Sequence, residues 1–407
     1  MSSILRIGIV TPLYDLDGES RSGIAKHCRT LADALSSQGH TVTVIFAPDF
    51  YIEAVPSFDR VEPNGVRVIC LRADIPRFIV RLVETRPLQH KFLHDLFAIV
   101  RVNRCLARIG GSIDAIETTS FGARALGRCL AGVGPSLITR VSTTTDQISA
   151  AFQQFYSRAQ SLINALERAA ILFSPALLTH TKQHARSIEA ALGIACGSFA
   201  IIPLGIPDML PPRYSPPPWL PGPTLLFAGQ FIQRKAIDVV LAAAPSILEA
   251  CPNVRLVIAG GPWHSGPVTR DIEALQAAFG ERVVTVRDPD DATLRGWIHA
   301  CDVFTAPSRY ESFGLIFVEA MRASKPVIAT RVGGIPEVVT DGETGVLVPP
   351  GDVDALACAC IDLCRDPGQT RIWGEAGRQR FLACFTADEM ARRSAALYHR
   401  LSTFTVV

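Results

Sequence analysis

At 407 residues the chain is too long for one ordinary core and suits two or three domains. With 48% hydrophobic and 19% charged residues it reads as globular, which excludes extended disorder. The formal net charge is only +2, and no nucleic-acid partner is expected. No apolar run reaches the ~18 residues of a membrane span. The N-terminus, Met1 to Arg6, lacks the apolar core of a signal peptide and enters a strand at once, so a cytoplasmic location is expected. The 11 cysteines are scattered without a Cys-x2-Cys pair, which reads as free thiols rather than a metal site or disulfide framework.

In chain order, Arg6–Val10 reads as a buried parallel strand. A polar loop from Tyr14 to Arg21 follows, then Ser22-Gly23 and an amphipathic helix carrying Ile24, Cys28, Leu31 and Leu35. Gly39 ends that helix and Thr41–Phe46 is the next strand. The positive charge concentrates between Arg60 and Arg108, where arginines and Lys91 interleave with Ile75, Phe78, Ile79, Val80, Leu82 and Phe92. Such a segment can rest on anionic lipid or steer an anionic acceptor. It can equally be a solvated helix face.

Ile113–Glu117 and Ser136–Arg140 read as further strands. Parallel sheets gather ligands at C-terminal strand ends, which makes Glu117, Thr118, Arg140 and Ser142 the acceptor-side candidates. A helix over 157–170, a strand at Ile171–Phe173, a helix near 177–192 and a strand at Ala200–Ile202 complete the first half. The proline-dense stretch from Pro211 to Pro218 reads as a semi-rigid linker.

The second half opens with the strand Leu225–Ala228. It runs into Gly229-Gln230-Phe231-Ile232-Gln233-Arg234-Lys235-Ala236, a glycine-started loop with two cations. Strands at Val254–Ile258 and Val283–Val286 follow. Asp288 and Asp290 have the spacing of a divalent-metal triplet, but Asp15/Asp17 and Asp352/Asp354 repeat it, so no metal site is assigned. Asp302–Ala306 is a strand, Pro307–Gly314 a loop, and Leu315, Val318, Met321 and Arg322 recur at helical spacing. The helix start offers backbone N–H groups and a partial positive charge suited to phosphate. Glu311 and Glu319 frame it, and carboxylates accept hydrogen bonds from neutral hydroxyls. Gly333-Gly334 repeats the glycine-to-helix turn. Thr386 and Glu389 have capping-box spacing ahead of a last helix.

Glu311 and Glu319, with Gly333-Gly334-Ile335-Pro336-Glu337, resemble the E-x7-E signature and GG-x-PE segment of the retaining family 4 glycosyltransferases of the GT-B fold. The Gly229 loop is similar to that family's G-R-x4-K-G segment. Lys235 matches, while Gln230 stands where Arg is usual and Ala236 where Gly is usual. Many relatives carry a histidine at one of the two acceptor-side strand ends, and this chain has none there.

The resemblance implies an α/β protein of two doubly wound Rossmann-like domains facing across a cleft. The expected divisions are an acceptor-side domain over 1–206, a linker over 207–223, a nucleotide-sugar domain over 224–385 and a helix over 386–407 crossing back. It implies transfer of a sugar from a nucleotide-diphospho-sugar to a hydroxyl acceptor, a glycan or lipid-linked glycan, without cofactor or metal. Glu311, Lys235 and Arg234 would be catalytic. Glu319, Phe313, Gly314, Leu315, Gln230, Gly229 and Gly23 would hold the donor. Peripheral contact with the inner face of a membrane through residues 60–108 is a further expectation. A GT-B phosphorylase, a nucleotide-sugar epimerase and a catalytically silent sugar-nucleotide-binding regulator are the alternatives.

Overall fold

The computed structural model describes residues 4–17, 20, 22–51, 55–72, 75–76, 81, 87–132, 134–147, 158–209, 222–262 and 266–404. The proline run 211–218 lies outside these. So do Gly18, Glu19 and Arg21 of the first loop, and Arg77, Phe78, Ile79, Val80, Leu82 and Arg86 of the basic stretch. Contacts divide the chain into two units. One holds the residues up to Gly205 together with the helix from Ala387; the other spans Ile206–Thr386.

The first unit is built on β1 (Arg6–Thr11), β2 (Thr41–Phe46), β3 (Phe58–Val61), β4 (Arg67–Cys70), β5 (Ala115–Thr119), β6 (Ser136–Arg140), β7 (Leu177–Thr179) and β8 (Phe199–Ile201). They pair in the order β3-β4-β2-β1-β5-β6-β7-β8. Every pairing is parallel except β3 with β4. Strand alternation splits the apolar residues between two faces. Ile7, Ile9, Val42, Val44 and Phe46 pack with Leu31 and Leu35 of helix α1 (Gly23–Ser37). Val10, Ile45 and Ile116 pack with Ala98, Val102 and Leu106 of α2 (Pro87–Ile109). Helices α3 (Leu126–Ala131), α4 (Arg158–Leu172) and α5 (Lys182–Leu192) complete the crossovers.

The structure departs from three sequence expectations in this unit. Ile171 and Leu172 end helix α4 instead of forming a strand, which comes later at Leu177–Thr179. Ile171 is buried while Leu172 and Phe173 are 53% and 57% exposed, so the apolar triplet is the end of an amphipathic helix. An apolar run that short does not distinguish strand from helix. The helix expected near 177–192 accordingly begins only at Lys182, with Thr181 Oγ1 accepting from the His184 N–H. The basic stretch is also not uniformly a surface. Lys91 is buried, its Nζ 2.8 Å from Asp49 and 3.1 Å from Asp95.

The second unit comprises β9 (Thr224–Gln230), β10 (Arg255–Gly261), β11 (Val283–Arg287), β12 (Val303–Ala306), β13 (Val327–Thr330) and β14 (Gly345–Val348). Their order is β11-β10-β9-β12-β13-β14, all parallel. Its helices are α6 (Ile237–Ala250), α7 (Pro267–Phe279), α8 (Asp291–Ala300), α9 (Leu315–Arg322), α10 (Ile335–Val338), α11 (Val353–Arg365) and α12 (Pro367–Cys384). The chain lays strands outward from β9 on one side, then returns to lay β12 on the other. Between β9 and β12 the winding reverses, and the crevice beyond such a reversal is where doubly wound sheets take ligands.

The repeated Asp-x-Asp spacing has local causes. Asp290 Oδ1 accepts from the Thr293 N–H at the start of α8, and Asp352 Oδ1 from the Ala355 N–H at the start of α11. Each satisfies an otherwise unpaired helix donor. Helix α13 (Ala387–Phe404) packs on the first unit through Met390, Ala391 and Tyr398. No helix among the described residues is long and apolar enough to cross a membrane.

Candidate functional site

Three loops converge beyond the C-terminal ends of β9, β12 and β13. The first leaves β9 at Gln230, forms a tight turn over Gln233–Lys235 and enters α6 through Ala236. Ala236 holds φ 54° and ψ 40°, a left-handed conformation that explains why glycine is usual at this position. The second runs from β12 to α9. Arg309 ties the two together: its N–H donates to Arg234 O at 2.8 Å, and its guanidinium grips Asp238 at 2.7 and 2.6 Å. The third, after β13, lies on the second. The Gly334 N–H donates to Glu311 O at 2.9 Å, and Thr330 Oγ1 donates to Ser308 O.

Gly333 makes that approach possible. Its φ is +51°, and a Cβ there would stand 2.1 Å from Glu311 O. Gly333→Ala is therefore expected to cost about 2 kcal/mol in chemical denaturation, from left-handed strain and a displaced Glu311 loop. An unchanged midpoint would show that the loop yields freely.

Glu311 is the centre of the site. Its carboxylate meets Lys235 Nζ at 2.5 Å, Arg234 Nη1 at 3.0 Å and Ser308 Oγ at 3.3 Å. Burial pushes the Glu311 carboxyl up, but the Lys235 and Arg234 cations outweigh it and hold it below the usual carboxylate range. Two cations face one carboxylate, so the trio carries one surplus positive charge. Lys235 and Arg234 keep 17% and 25% of their side chains exposed, which leaves them accessible to an anion.

Helix α9 begins immediately after this cluster. Gly314, at φ +91°, stands at its N-cap, and no side chain caps the helix there. The backbone donors of its first turn thus point at the same crevice with their partial positive charge. Leu315 opens the helix, and Glu319 follows one turn later, partly exposed. The Phe313 side chain is buried, edge-on to Phe385 at 5.8 Å, so only its backbone can face a ligand. Gly229 and the exposed Gln230 close β9 beside Lys235. Glu311, Lys235, Arg234, Gly314 and Leu315 are thereby brought together. Arg309 and Ser308, which staple and orient the cluster, were missed by the sequence reading although they lie inside the same loop.

The expected first-unit residues are placed differently. Gly23 begins α1 behind the Ser22 N-cap, and a Cβ on it would meet nothing within 4 Å. Thr118 is buried, and Ser142 has a buried Oγ without a hydrogen-bond partner among the described residues. Glu117 and Arg140, expected to face an acceptor, are turned inward at 3% and 2% exposure. Arg140 holds Glu117 through Nε at 2.7 Å and Nη2 at 3.2 Å, and the Tyr398 hydroxyl donates to the same carboxylate at 2.5 Å. Burial pushes the Glu117 carboxyl up, but Arg140 and His27 prevail and hold it at about 2. These charges are satisfied by one another and by helix α13.

Glu167 on α4 has the opposite electrostatics. Burial pushes its carboxyl up to about 7, against hydrogen bonds from the Thr145 N–H and Ser120 Oγ. Its folded pKa lies above the ordinary 4.5, so the folded state keeps a proton that the unfolded chain releases. Stability therefore falls as pH rises from about 4.5 towards 7. Glu167→Gln is expected to match wild type in urea denaturation at pH 4. By pH 8 it should exceed wild type by about 3 kcal/mol. Equal stabilities at pH 8 would contradict this.

A doubly wound unit with a cation–carboxylate cluster at its sheet reversal and an uncapped helix start offers a resting place for an anion. Residues 21–210 match the family described as Glycosyltransferase Family 4, and residues 222–366 match Glycosyl transferases group 1. The chain belongs to the family 4 glycosyltransferases, and its two units have the Rossmann-like form of the GT-B fold. The D-inositol 3-phosphate glycosyltransferase of Streptomyces avermitilis is 38% identical over 180 residues. That match spans 42% of this chain and only 39% of the relative. A glycogen synthase of Mycobacterium tuberculosis is 27% identical over 391 residues, 92% of this chain and 90% of that one. Sucrose-phosphate synthase from Thermosynechococcus elongatus shares the fold with a TM-score of 0.75 at 24% identity, covering 98% of this chain and 100% of that one.

Proposed function

We propose that this chain is a retaining glycosyltransferase that moves a sugar from a nucleotide-diphospho-sugar to a hydroxyl acceptor in polysaccharide or glycoconjugate biosynthesis. The observation that carries the reading is the Glu311 carboxylate held by Lys235 and Arg234 at the start of α9. Glu319 accepts hydrogen bonds from ribose hydroxyls, and Glu311 from hydroxyls of the transferred sugar. The diphosphate rests on the amides around Phe313, Gly314 and Leu315, with Lys235 and Arg234 drawing its growing charge. These side chains carry the leaving-group charge in place of a divalent ion. The bond from the anomeric carbon to the diphosphate breaks as the acceptor oxygen bonds to the same face. The leaving phosphate oxygen takes the acceptor proton. The reading places the chain in the cytoplasm, at the inner membrane face where the acceptor is lipid-linked.

The test is turnover of UDP-, GDP- and ADP-sugars with EDTA present. Release of nucleoside diphosphate without added metal supports the reading. Strict dependence on Mn²⁺ contradicts the metal-free clamp, and a requirement for inorganic phosphate identifies a phosphorylase. Gln230, exposed at the end of β9, stands at the position where the family resemblance puts an arginine. Gln230→Arg is expected to tighten nucleoside diphosphate binding by about 1–2 kcal/mol in calorimetry. Weaker binding would mean that the glutamine is itself an adapted contact.

A further inference from the structure

In the first unit, a cavity of about 40 Å³ lies where β5 and β6 end, between α2 and α4. Lys91, Asp95, Phe121, Thr145, Gln160 and Glu167 line it. At about 10–15 Å³ of such volume per water, it accommodates a few waters or one hydroxyl-bearing arm of a larger molecule. Its position at C-terminal strand ends is where a parallel sheet takes a ligand.

The charges around it are matched. Lys91 is bound to Asp49 at 2.8 Å and to Asp95 at 3.1 Å. Arg124, fully buried, donates to Asp95 at 2.8 Å and to the carbonyls of Ala47, Gly122 and Pro48. Two cations thus face two carboxylates, and neither cation is left over for an incoming anion. On the opposite wall stands Glu167, which adds negative charge whenever it ionises. A phosphate entering here meets neutralised cations and a carboxyl group. A neutral hydroxyl meets the Gln160 amide, which also donates to Asn164 Oδ1 at 2.9 Å, together with the Thr145 hydroxyl and the Glu167 carboxyl, and the Phe121 ring beside them offers a face for C–H groups.

We propose that this cavity receives a hydroxyl-bearing arm of the acceptor and selects an uncharged polyol or sugar over a phosphorylated one. The inference rests on the glycosyltransferase reading and names the acceptor class for it. Gln160 and Thr145 are then specificity-determining residues, and Lys91 is a positioning residue.

The experiment supplies the full chain with the nucleotide sugar it turns over and with paired acceptor probes. Glucose, maltose and myo-inositol are compared with their monophosphates by mass spectrometry of products. Transfer to a neutral probe is expected at a kcat/KM at least about tenfold above that to its monophosphate. Gln160→Leu and, separately, Thr145→Val are expected to raise the KM of that neutral probe by about tenfold, as one lost buried hydrogen bond implies. Calorimetric affinity for nucleoside diphosphate is the control for folding. Preference for a monophosphate overturns the proposal, as does an unchanged acceptor KM in both variants. Failure of every neutral probe in a protein that binds nucleoside diphosphate overturns it too. Failure to bind any nucleoside diphosphate instead sinks the glycosyltransferase reading beneath it.

Discussion

Lys235→Ala is expected to lower kcat about 10²–10³-fold, the usual loss when one preorganised donor to a developing negative charge is removed. The ammonium lies 2.5 Å from Glu311 and remains partly exposed, so the carboxylate holds it in place before a diphosphate arrives. That prepositioning is what water cannot replace once the charge develops. With Gln230 in place of the family's usual arginine, the proposed diphosphate clamp would rest more heavily on Lys235. Its removal leaves Arg234 as the remaining ion-pair partner of the buried Glu311. The Glu311 carboxyl should then move back up towards its ordinary range. Steady-state rates with a thermal-melt control test this. Turnover within threefold of wild type would transfer the role to Arg234.

Arg140→Leu is expected to cost about 3–5 kcal/mol of stability, because it strands the buried Glu117 charge with no counter-ion of equal strength. Replacing both partners should recover most of the loss, since two apolar side chains need no solvation. The pH dependence separates this from simple misfit. Glu117 sits at about 2 in the folded chain against an ordinary 4.5. In wild type its contribution is present above about 4.5 and is lost as pH falls towards 2. In Arg140→Leu that acid-side loss should vanish, and the gap to wild type should narrow as pH is lowered. Urea denaturation at pH 7 and pH 3 measures both effects. A constant gap would contradict the ion-pair account.

The alternation of strands and helices was legible because buried parallel strands read as apolar runs such as Val303-Phe304-Thr305-Ala306. The β3–β4 pairing was not, since Phe58-Asp59-Arg60-Val61 is an edge strand that is largely exposed and carries no such run. In the second unit Glu311 and Lys235, which the structure pairs at 2.5 Å, stood out in the sequence because their loops retain a recognisable spacing. Glu117 and Arg140 misled because a charge at a strand end looks the same in sequence whether it faces outward or inward. Turned inward, Glu117 meets Arg140 and also Tyr398, 281 positions away. Lys91 misled similarly: it looks basic beside its neighbours, but its partner Asp49 lies 42 positions away. Local composition does not report such distant neutralisation.

On the proposed function the donor diphosphate lies against Glu311, Lys235 and the start of α9. Amide hydrogen exchange with and without the best-binding nucleoside diphosphate locates it directly, because bound phosphate oxygens engage the amides themselves. Slowed exchange is expected over residues 229–236 and 311–319, weakened in Lys235→Ala. Protection confined to the first unit, with both of those segments unchanged, would contradict it.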